Sequence, residues 1–372
     1  MRISPRFSFA MISGVLLAVA LPGAALADIV VGVAGPLAGA FAVLGDEMRN
    51  GATAAIADIN AAGGVLGQRL VLEVVDDACD PKQAVAVAGQ LAAKKIVFVA
   101  GHLCSSASIP ASAVYADAGI IQISPASTNP AYTDQRPGPG TFRVCRRDDE
   151  QGAVAGAFLA RTFPGKAIAI VDDKSAYGKG LADETRKAFN QAGGKQALDD
   201  EYTPGARDYT ALVSKLKAAR IDVLYVGGYS TDAGLLAREM KDQGMTTLLV
   251  SGDALVNDDF WKVAGDAGEG ALMTYPPDPR KNPDNAALVE AFRKAGTEPE
   301  GYTLYTYAAV QVWAQAAAAA GSTDFANVAA AITAGDFKTA LGELKFDDKG
   351  DVSAPGYVFY EWKGGKYDYR SP

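Results

Sequence analysis

The chain has 372 residues, 43 acidic against 35 basic side chains, a formal charge of −8, and 49% hydrophobic residues, enough for ordinary buried cores. No basic run occurs, which argues against nucleic acid or an anionic membrane as a partner. A single histidine and three cysteines leave little for metal or nucleophile chemistry.

The first 27 residues, "MRISPRFSFAMISGVLLAVALPGAALA", combine a charged start, a short apolar run and an A-x-A end. That pattern predicts a secretory signal cleaved after Ala27. The unbroken apolar stretch falls short of the roughly 20 residues a membrane span needs. The mature chain is expected to begin at Asp28, to be exported and soluble, and to contain no later bilayer-spanning segment. At a prior of about 150 residues per domain it divides into two. Outside the cytoplasm a disulfide between two of Cys79, Cys104 and Cys145 is expected, and the residues alone leave the pair open.

From Asp28 onward, short β-branched runs alternate with longer amphipathic segments. "DIVVGVAG" predicts a strand, and "GDEMRNGATAAIADINAAGG" a helix closed by Gly63-Gly64. "QRLVLEVVDDA" predicts a strand, and "PKQAVAVAGQLAAKK" a helix opened by Pro81. "IVFVAG" is the third strand, Ile109 to Ala118 the next helix, and "GIIQIS" the fourth strand. Strands separated by helices imply βαβ units and a parallel sheet covered on both faces. "TNPAYTDQRPGPGT" reads as a Pro/Gly-rich surface connection, with a break near Arg143 to Glu150. The pattern restarts with the strand "AIAIVDD" and helix "GKGLADETRKAFNQAGG", then "DVLYVGGY", "TDAGLLAREMKDQG" and "TTLLVSGD". After a second break at "PPDPRKNP", "YTLYTYAAVQVWAQAAAAAG" predicts a long helix whose alanines serve close helix packing. The C-terminal "LKFDDKGDVSAPGYVFYEWKGGKY" predicts two strands around a turn and a bend. Two doubly wound α/β lobes, crossed by the chain more than once, are the expected architecture.

In open parallel sheets ligands bind beyond the carboxyl ends of the strands, where helix N-termini point outward. On the first lobe, Ser105 and Thr128 follow consecutive strands, each with a hydroxyl and a nearby N–H; together they suit an anion such as a carboxylate. Ordinary helix capping is the alternative for either alone. On the second lobe the matching strand ends carry Tyr177, Tyr229 and Asp253, with Asp148 at the junction "CRRDDEQG". Two carboxylates and two aromatics facing an anion site suit a ligand with a cation and an apolar part. N-capping is an equal alternative for Asp148 and Asp149, and core packing for the tyrosines. Enzyme chemistry is disfavoured. His102, the sole histidine, has no evident orienting partner, and Ser105 lacks the G-x-S-x-G spacing. A zinc site would need three or four suitable ligands, and "GVAGPLAG" lacks the dinucleotide spacing. No metal, cofactor or catalytic residue is expected.

"DINAAGGVLGQRL", "DDACDPKQAVAVA", "GHLCSS", "DKSAYGKGLA", "GGYSTDAG" and "FDDKGDV" together resemble the periplasmic solute-binding proteins of ABC importers, type I fold, specifically the leucine/isoleucine/valine-binding proteins. The resemblance covers nearly all of the mature chain. It implies two Rossmann-like lobes joined by three hinge crossings: residues 28–147 with about 277–356, and about 148–276 with about 357–372. It implies a monomer in the periplasm that binds a branched-chain or other apolar amino acid in the cleft and delivers it to a membrane permease. It assigns the ligand carboxylate to Ser105, Thr128 and the Ala126–Ser127 turn, the ammonium to Asp148 and Asp253, and closure to Tyr177 and Tyr229. It also pairs Cys79 with Cys104 and leaves Cys145 reduced. Three positions depart from the family pattern. Leu44 replaces a frequent tyrosine, so one pocket wall is smaller and drier. Asp253 replaces a glutamate, and Cys145-Arg146-Arg147 replaces small residues. An arginine in the cleft would favour another organic acid; relatives of this fold also bind aromatic acids, amides or urea.

Overall fold

The computed structural model describes residue 1 and residues 27–370; the signal segment proposed for residues 1–27 lies almost wholly outside the described residues. Five strands form a first sheet: β1 (Ile29–Gly35), β2 (Leu70–Asp76), β3 (Phe98–Gly101), β4 (Ile121–Ser124) and β5 (Thr141–Arg143). Their order is β2-β1-β3-β4-β5, all parallel. The helices α1 (Ala42–Ala61), α2 (Pro81–Ala93), α3 (Ser105–Ala118) and the short α4 (Ala131–Asp134) connect them.

After α5 (Asp148–Thr162) the chain enters a second sheet. It alternates β6 (Ile168–Asp172), α6 (Ala176–Gln191), β7 (Leu198–Glu201), α7 (Thr210–Ala218), β8 (Val223–Gly227), α8 (Ser230–Asp242), β9 (Leu248–Ser251), α9 (Asp258–Ala264) and β10 (Leu272–Tyr275). It then returns to the first sheet through α10 (Ala286–Lys294), α11 (Thr303–Ala320) and α12 (Phe325–Ala334), with a small antiparallel sheet of β11 (Phe337–Thr339), β12 (Gly342–Phe346) and β13 (Val352–Ser353). Finally β14 (Val358–Lys363) and β15 (Lys366–Tyr369) join the second sheet antiparallel, giving the order β15-β14-β10-β9-β8-β6-β7. The chain thus passes between the two sheets three times. This is the expected α/β architecture of doubly wound lobes.

The inner parallel strands are apolar because helices cover both faces: β6 and β8 are buried along their whole length. Small residues set the helix spacing. At Gly51 of α1, an added Cβ would fall 2.1 Å from the Thr303 carbonyl oxygen of α11. At Gly156 of α5 it would fall 2.5 Å from Phe189 N of α6. The alanine-rich α11 is a packing helix, as its composition implies.

Several local expectations are corrected. α3 begins at Ser105, not Ile109, because the Cys104 carbonyl accepts the N–H groups of Ala107 and Ser108, both at 2.9 Å, and starts the first turn at once. Pro110 therefore lies inside the helix. The connection "TNPAYTDQRPGPGT" is only partly a surface loop. It contains α4 and ends on β5, and Tyr132 and Thr133 are buried where Arg143 lies over the Tyr132 ring at 5.3 Å. The C-terminal segment holds four strands rather than two, since β12 and β13 pair with each other and not with β14.

Candidate functional site

The carboxyl ends of the parallel strands in both sheets converge on one small cavity of about 10 Å³. Six of the residues proposed from sequence line it: Leu44, Ser105 and Ala126 from the first sheet's side, Tyr177, Tyr229 and Asp253 from the second. Leu103, Ala254 and Tyr302 complete the wall and escaped sequence reasoning. Room for about one water remains, so a larger guest requires the walls to part.

Asp253 is the polar centre. Tyr177 Oη donates to its Oδ1 at 2.8 Å, and Tyr302 Oη donates to Oδ2. The Tyr302 bond joins a residue at the start of α11 to the second sheet. Burial raises the Asp253 carboxyl above the ordinary carboxylate range, and the two phenols oppose that rise. Burial, then the Asp253 charge, pushes Asp148 up as well. Tyr177 and Tyr229 pack against each other, ring centroids 5.1 Å apart, and Phe41 backs Tyr229 at 4.6 Å.

Ser127, Thr128 and Asp148 do not line the cavity, and they differ among themselves. Ser127 turns into the first lobe: its Oγ donates to the Leu103 carbonyl at 3.0 Å and to Ser108 Oγ at 2.6 Å. The N–H groups of Ala126 and Ser127 both point at Ser124 Oγ, at 3.3 and 2.9 Å, so this turn presents neither to a ligand. Thr128 and Asp148 are fully buried, and Thr128 Oγ1 and both Asp148 carboxylate oxygens lack hydrogen-bond partners. The Asp148 amide donates to the Thr128 carbonyl at 2.9 Å, which holds the two residues side by side.

Capping explains none of these residues. The N-cap positions of α3 and α5 are Cys104 and Arg147, neither with a side-chain cap, and Asp148 and Asp149 fall in the first turn of α5. There their charge favours the positive helix end. Ser105 Oγ accepts the Asn129 N–H at 3.2 Å. Arg143, unnoticed in the sequence, props this loop from below. Its Nη1 donates to the carbonyls of Ser127 and Asn129 at 2.7 and 3.0 Å, and its Nε pairs with Asp351 at 2.7 Å.

His102 does have an orienting partner, contrary to expectation: its Nδ1 meets Asp77 Oδ2 at 2.5 Å. Its Nε2 meets Tyr115 Oη at 3.0 Å, so the ring is engaged by Asp77 and Tyr115 rather than by Ser105. Beside it, Cys79 and Cys104 form a disulfide, with Cα atoms 5.5 Å apart, and Cys145 is a buried thiol. Neither Arg146 nor Arg147 lines the cavity. Arg147 is held by Asp134, Asp149 and Asp351, and Arg146 by Glu150.

With this geometry in view, the likenesses to known proteins are consistent. A family model described as "Periplasmic binding protein" matches residues 28–366. The chain is 50% identical over 365 residues to Leu/Ile/Val-binding protein homolog 1 of Brucella melitensis biotype 1, covering 96% of this chain and 98% of that protein. A crystal structure of a leucine binding protein, LivK, from Thermotoga maritima superposes with a TM-score of 0.85 at 25% identity, covering 92% of this chain and 98% of that one. An ABC transporter substrate-binding protein from Desulfitobacterium hafniense, crystallised in complex with Leu, gives a TM-score of 0.75 at 29% identity, covering 92% and 100%.

Proposed function

The chain belongs to the periplasmic binding protein family, and from that membership we propose that it is the substrate-binding protein of an ABC importer. It carries a free α-amino acid with an apolar side chain, leucine, isoleucine or valine before phenylalanine, to a membrane permease. The observation that carries this reading is one cavity walled from both sheets by Leu44, Tyr177 and Tyr229 around the buried carboxylate of Asp253. The ligand carboxylate meets Ser105, Thr128 and the start of α3; its ammonium meets Asp148 and Asp253. Ala126 and the Ser127 turn shape the carboxylate end without donating to it. Each Asp253 oxygen accepts one phenol and keeps a further lone pair, so the ammonium is accepted beside the two tyrosines as the lobes part and reclose.

The lobes are residues 28–147 with about 277–356, and about 148–276 with about 357–372. The protein works as a monomer in the periplasm after removal of residues 1–27, needs no cofactor, and turns over no substrate. The named Leu/Ile/Val-binding relatives and the leucine-bound structure support the amino acid; the engagement of His102 by Asp77 and Tyr115 supports the absence of turnover. A ligand without an amino group, such as an aromatic acid or a urea-like amide, is the weaker reading. It would leave two buried carboxylates uncompensated, while Arg146 and Arg147 pair elsewhere.

Calorimetry with leucine, leucinamide and the deaminated acid tests both ends of the zwitterion. Leucine is expected to bind, and each analogue to bind at least about a hundredfold more weakly: the deaminated acid leaves buried carboxylates without their cation, roughly 3 kcal/mol, and leucinamide loses charge-assisted hydrogen bonds worth about 1.5–3 kcal/mol each. Equal binding of the deaminated acid would show that Asp148 and Asp253 read no ammonium, and the assignment would fail.

A further inference from the structure

One buried carboxylate near the cleft has no part in the ligand set. Glu47 lies on α1 one turn beyond the cavity-lining Leu44 and is 5% exposed. Its Oε2 accepts the Tyr302 amide N–H at 2.9 Å, while its buried Oε1 has no hydrogen-bond partner. Around it stand the acidic Glu300 of the same turn as Tyr302 and Asp259 of α9, with Arg280 the one opposing charge among those that act on it. A carboxylate here is costly, since burying a charge without a bonded partner is unfavourable, and an apolar side chain of similar size would fill the space at lower cost.

The carboxyl does make one specific contact, and that contact leads to the ligand site. Gly301 adopts a left-handed φ of +54° and lies so close that a Cβ would fall 2.2 Å from Glu47 Oε2. The turn is therefore seated on the glutamate. The next residue, Tyr302, begins α11 without a side-chain cap of its own, and its hydroxyl reaches Asp253. On the other side of the turn, the Gly301 carbonyl accepts from Tyr275 Oη at 2.8 Å. Glu47 on the first sheet's side is thus connected through the Tyr302 backbone and ring to Asp253 on the second.

We propose that Glu47 is a positioning residue of the ligand cleft: it fixes the Gly301–Tyr302 turn so that the Tyr302 hydroxyl bonds Asp253 across the cleft and favours the closed state. The inference rests on reading this cleft as the amino-acid site. A contact made only when the lobes meet strengthens binding by shifting the population toward closure. Glutamine keeps the acceptor oxygen and the shape; leucine keeps the bulk and loses the acceptor.

The test is leucine calorimetry on the mature protein and its variants Glu47→Leu, Glu47→Gln, Tyr302→Phe and the Glu47→Leu/Tyr302→Phe pair. Glu47→Leu is expected to weaken binding about tenfold and Glu47→Gln to stay within about twofold of the parent. In the Tyr302→Phe background Glu47→Leu should cost less than about twofold, because the bond it serves is already gone. Independent, multiplying losses at the two positions, or a glutamine variant as weak as the leucine one, would overturn the proposal. Should Glu47→Leu not fold, Glu47→Asp takes its place, since the shorter side chain draws the turn out of reach. If the parent protein binds no amino acid, the functional reading has failed on its own terms. The same four-variant cycle on the thermal unfolding midpoint then decides this one: non-additive shifts support it and additive shifts sink it.

Discussion

Asp148 and Asp253 are the residues on which the electrostatics of the cleft turn. Both are buried, both are pushed up by that burial, and the charge of Asp253 pushes Asp148 up further. Two carboxyls raised in this way favour a proton or an ammonium beside them. Replacing Asp148 by alanine is expected to weaken leucine binding by two to three orders of magnitude, roughly 3–4 kcal/mol for a buried charge losing its partner. Ser105→Ala should cost less, about 1–3 kcal/mol; calorimetry that ranked them in reverse would displace Asp148 from the ammonium. The same physics sets a pH dependence for the ligand-free protein. Burial, then the charge of Asp258, raises Glu300 to about 7, and burial raises Asp173 to about 6. Groups raised on folding stabilise the protein when protonated; that contribution is full below their unfolded pKa values and is lost as pH rises through about 6 and about 7. The thermal midpoint without ligand should therefore climb as pH falls from about 8 to about 5.5. A midpoint that falls steadily over that range would contradict the assignment.

At the scale of elements, the strand-to-helix turn from Gly101 to Ser108 is held by three kinds of bond. The disulfide ties Cys104 to Cys79 across 25 positions, His102 bonds Asp77 and Tyr115, and Ser108 and Ser124 donate to the His102 carbonyl at 3.2 and 2.7 Å. Closing a loop of that length contributes roughly 3 kcal/mol in the chain-entropy model. Cys104→Ser should lower unfolding stability by about that much. Non-reducing peptide mapping should join Cys79 to Cys104, with Cys145 alkylated only after unfolding; Cys145 in the main disulfide would refute the pairing. Elements of this kind were legible where β-branched runs alternate with amphipathic ones, as in β1, β6 and β8. They were not where local signals conflict. β7 is "LDDE", an acidic strand at a sheet edge, and β5 is three residues after a Pro/Gly-rich stretch, recognisable only from its pairing with β4. The serine-rich start of α3 carries no helical periodicity; the Cys104 carbonyl supplies what the side chains do not. In the site, the residues at successive strand ends could be located from topology alone. Tyr302 could not: it is 49 positions from Asp253, at the head of a helix whose pattern speaks only of packing.

For the whole molecule, direct hydrogen bonds run between the two sides of the closed cleft. Besides Tyr302 to Asp253 and Tyr275 to the Gly301 carbonyl, Asn129 Nδ2 donates to the Ala176 carbonyl at 2.6 Å, and Thr231 Oγ1 donates to the Ala40 carbonyl at 3.4 Å. Hydrogen bonds are each worth about 1 kcal/mol net, somewhat more to a carboxylate such as Asp253, so together they bias closure without fixing it. A ligand that touches Ser105 and Thr128 on one side and Asp253, Tyr177 and Tyr229 on the other adds contacts available only when the lobes meet, and it shifts the population by that difference. Small-angle scattering should then show a smaller radius of gyration with saturating leucine than without it. Asn129→Ala removes a cross-cleft donor and should enlarge the ligand-free radius while leaving the leucine-bound one nearly unchanged, so that the span between the two grows. A version locked shut by an engineered cross-lobe disulfide provides the closed reference. If the parent, the Asn129 variant and the locked form all share one radius with and without leucine, the two lobes do not act as a clamp, and the arrangement of Ser105 opposite Asp253 would need a different explanation.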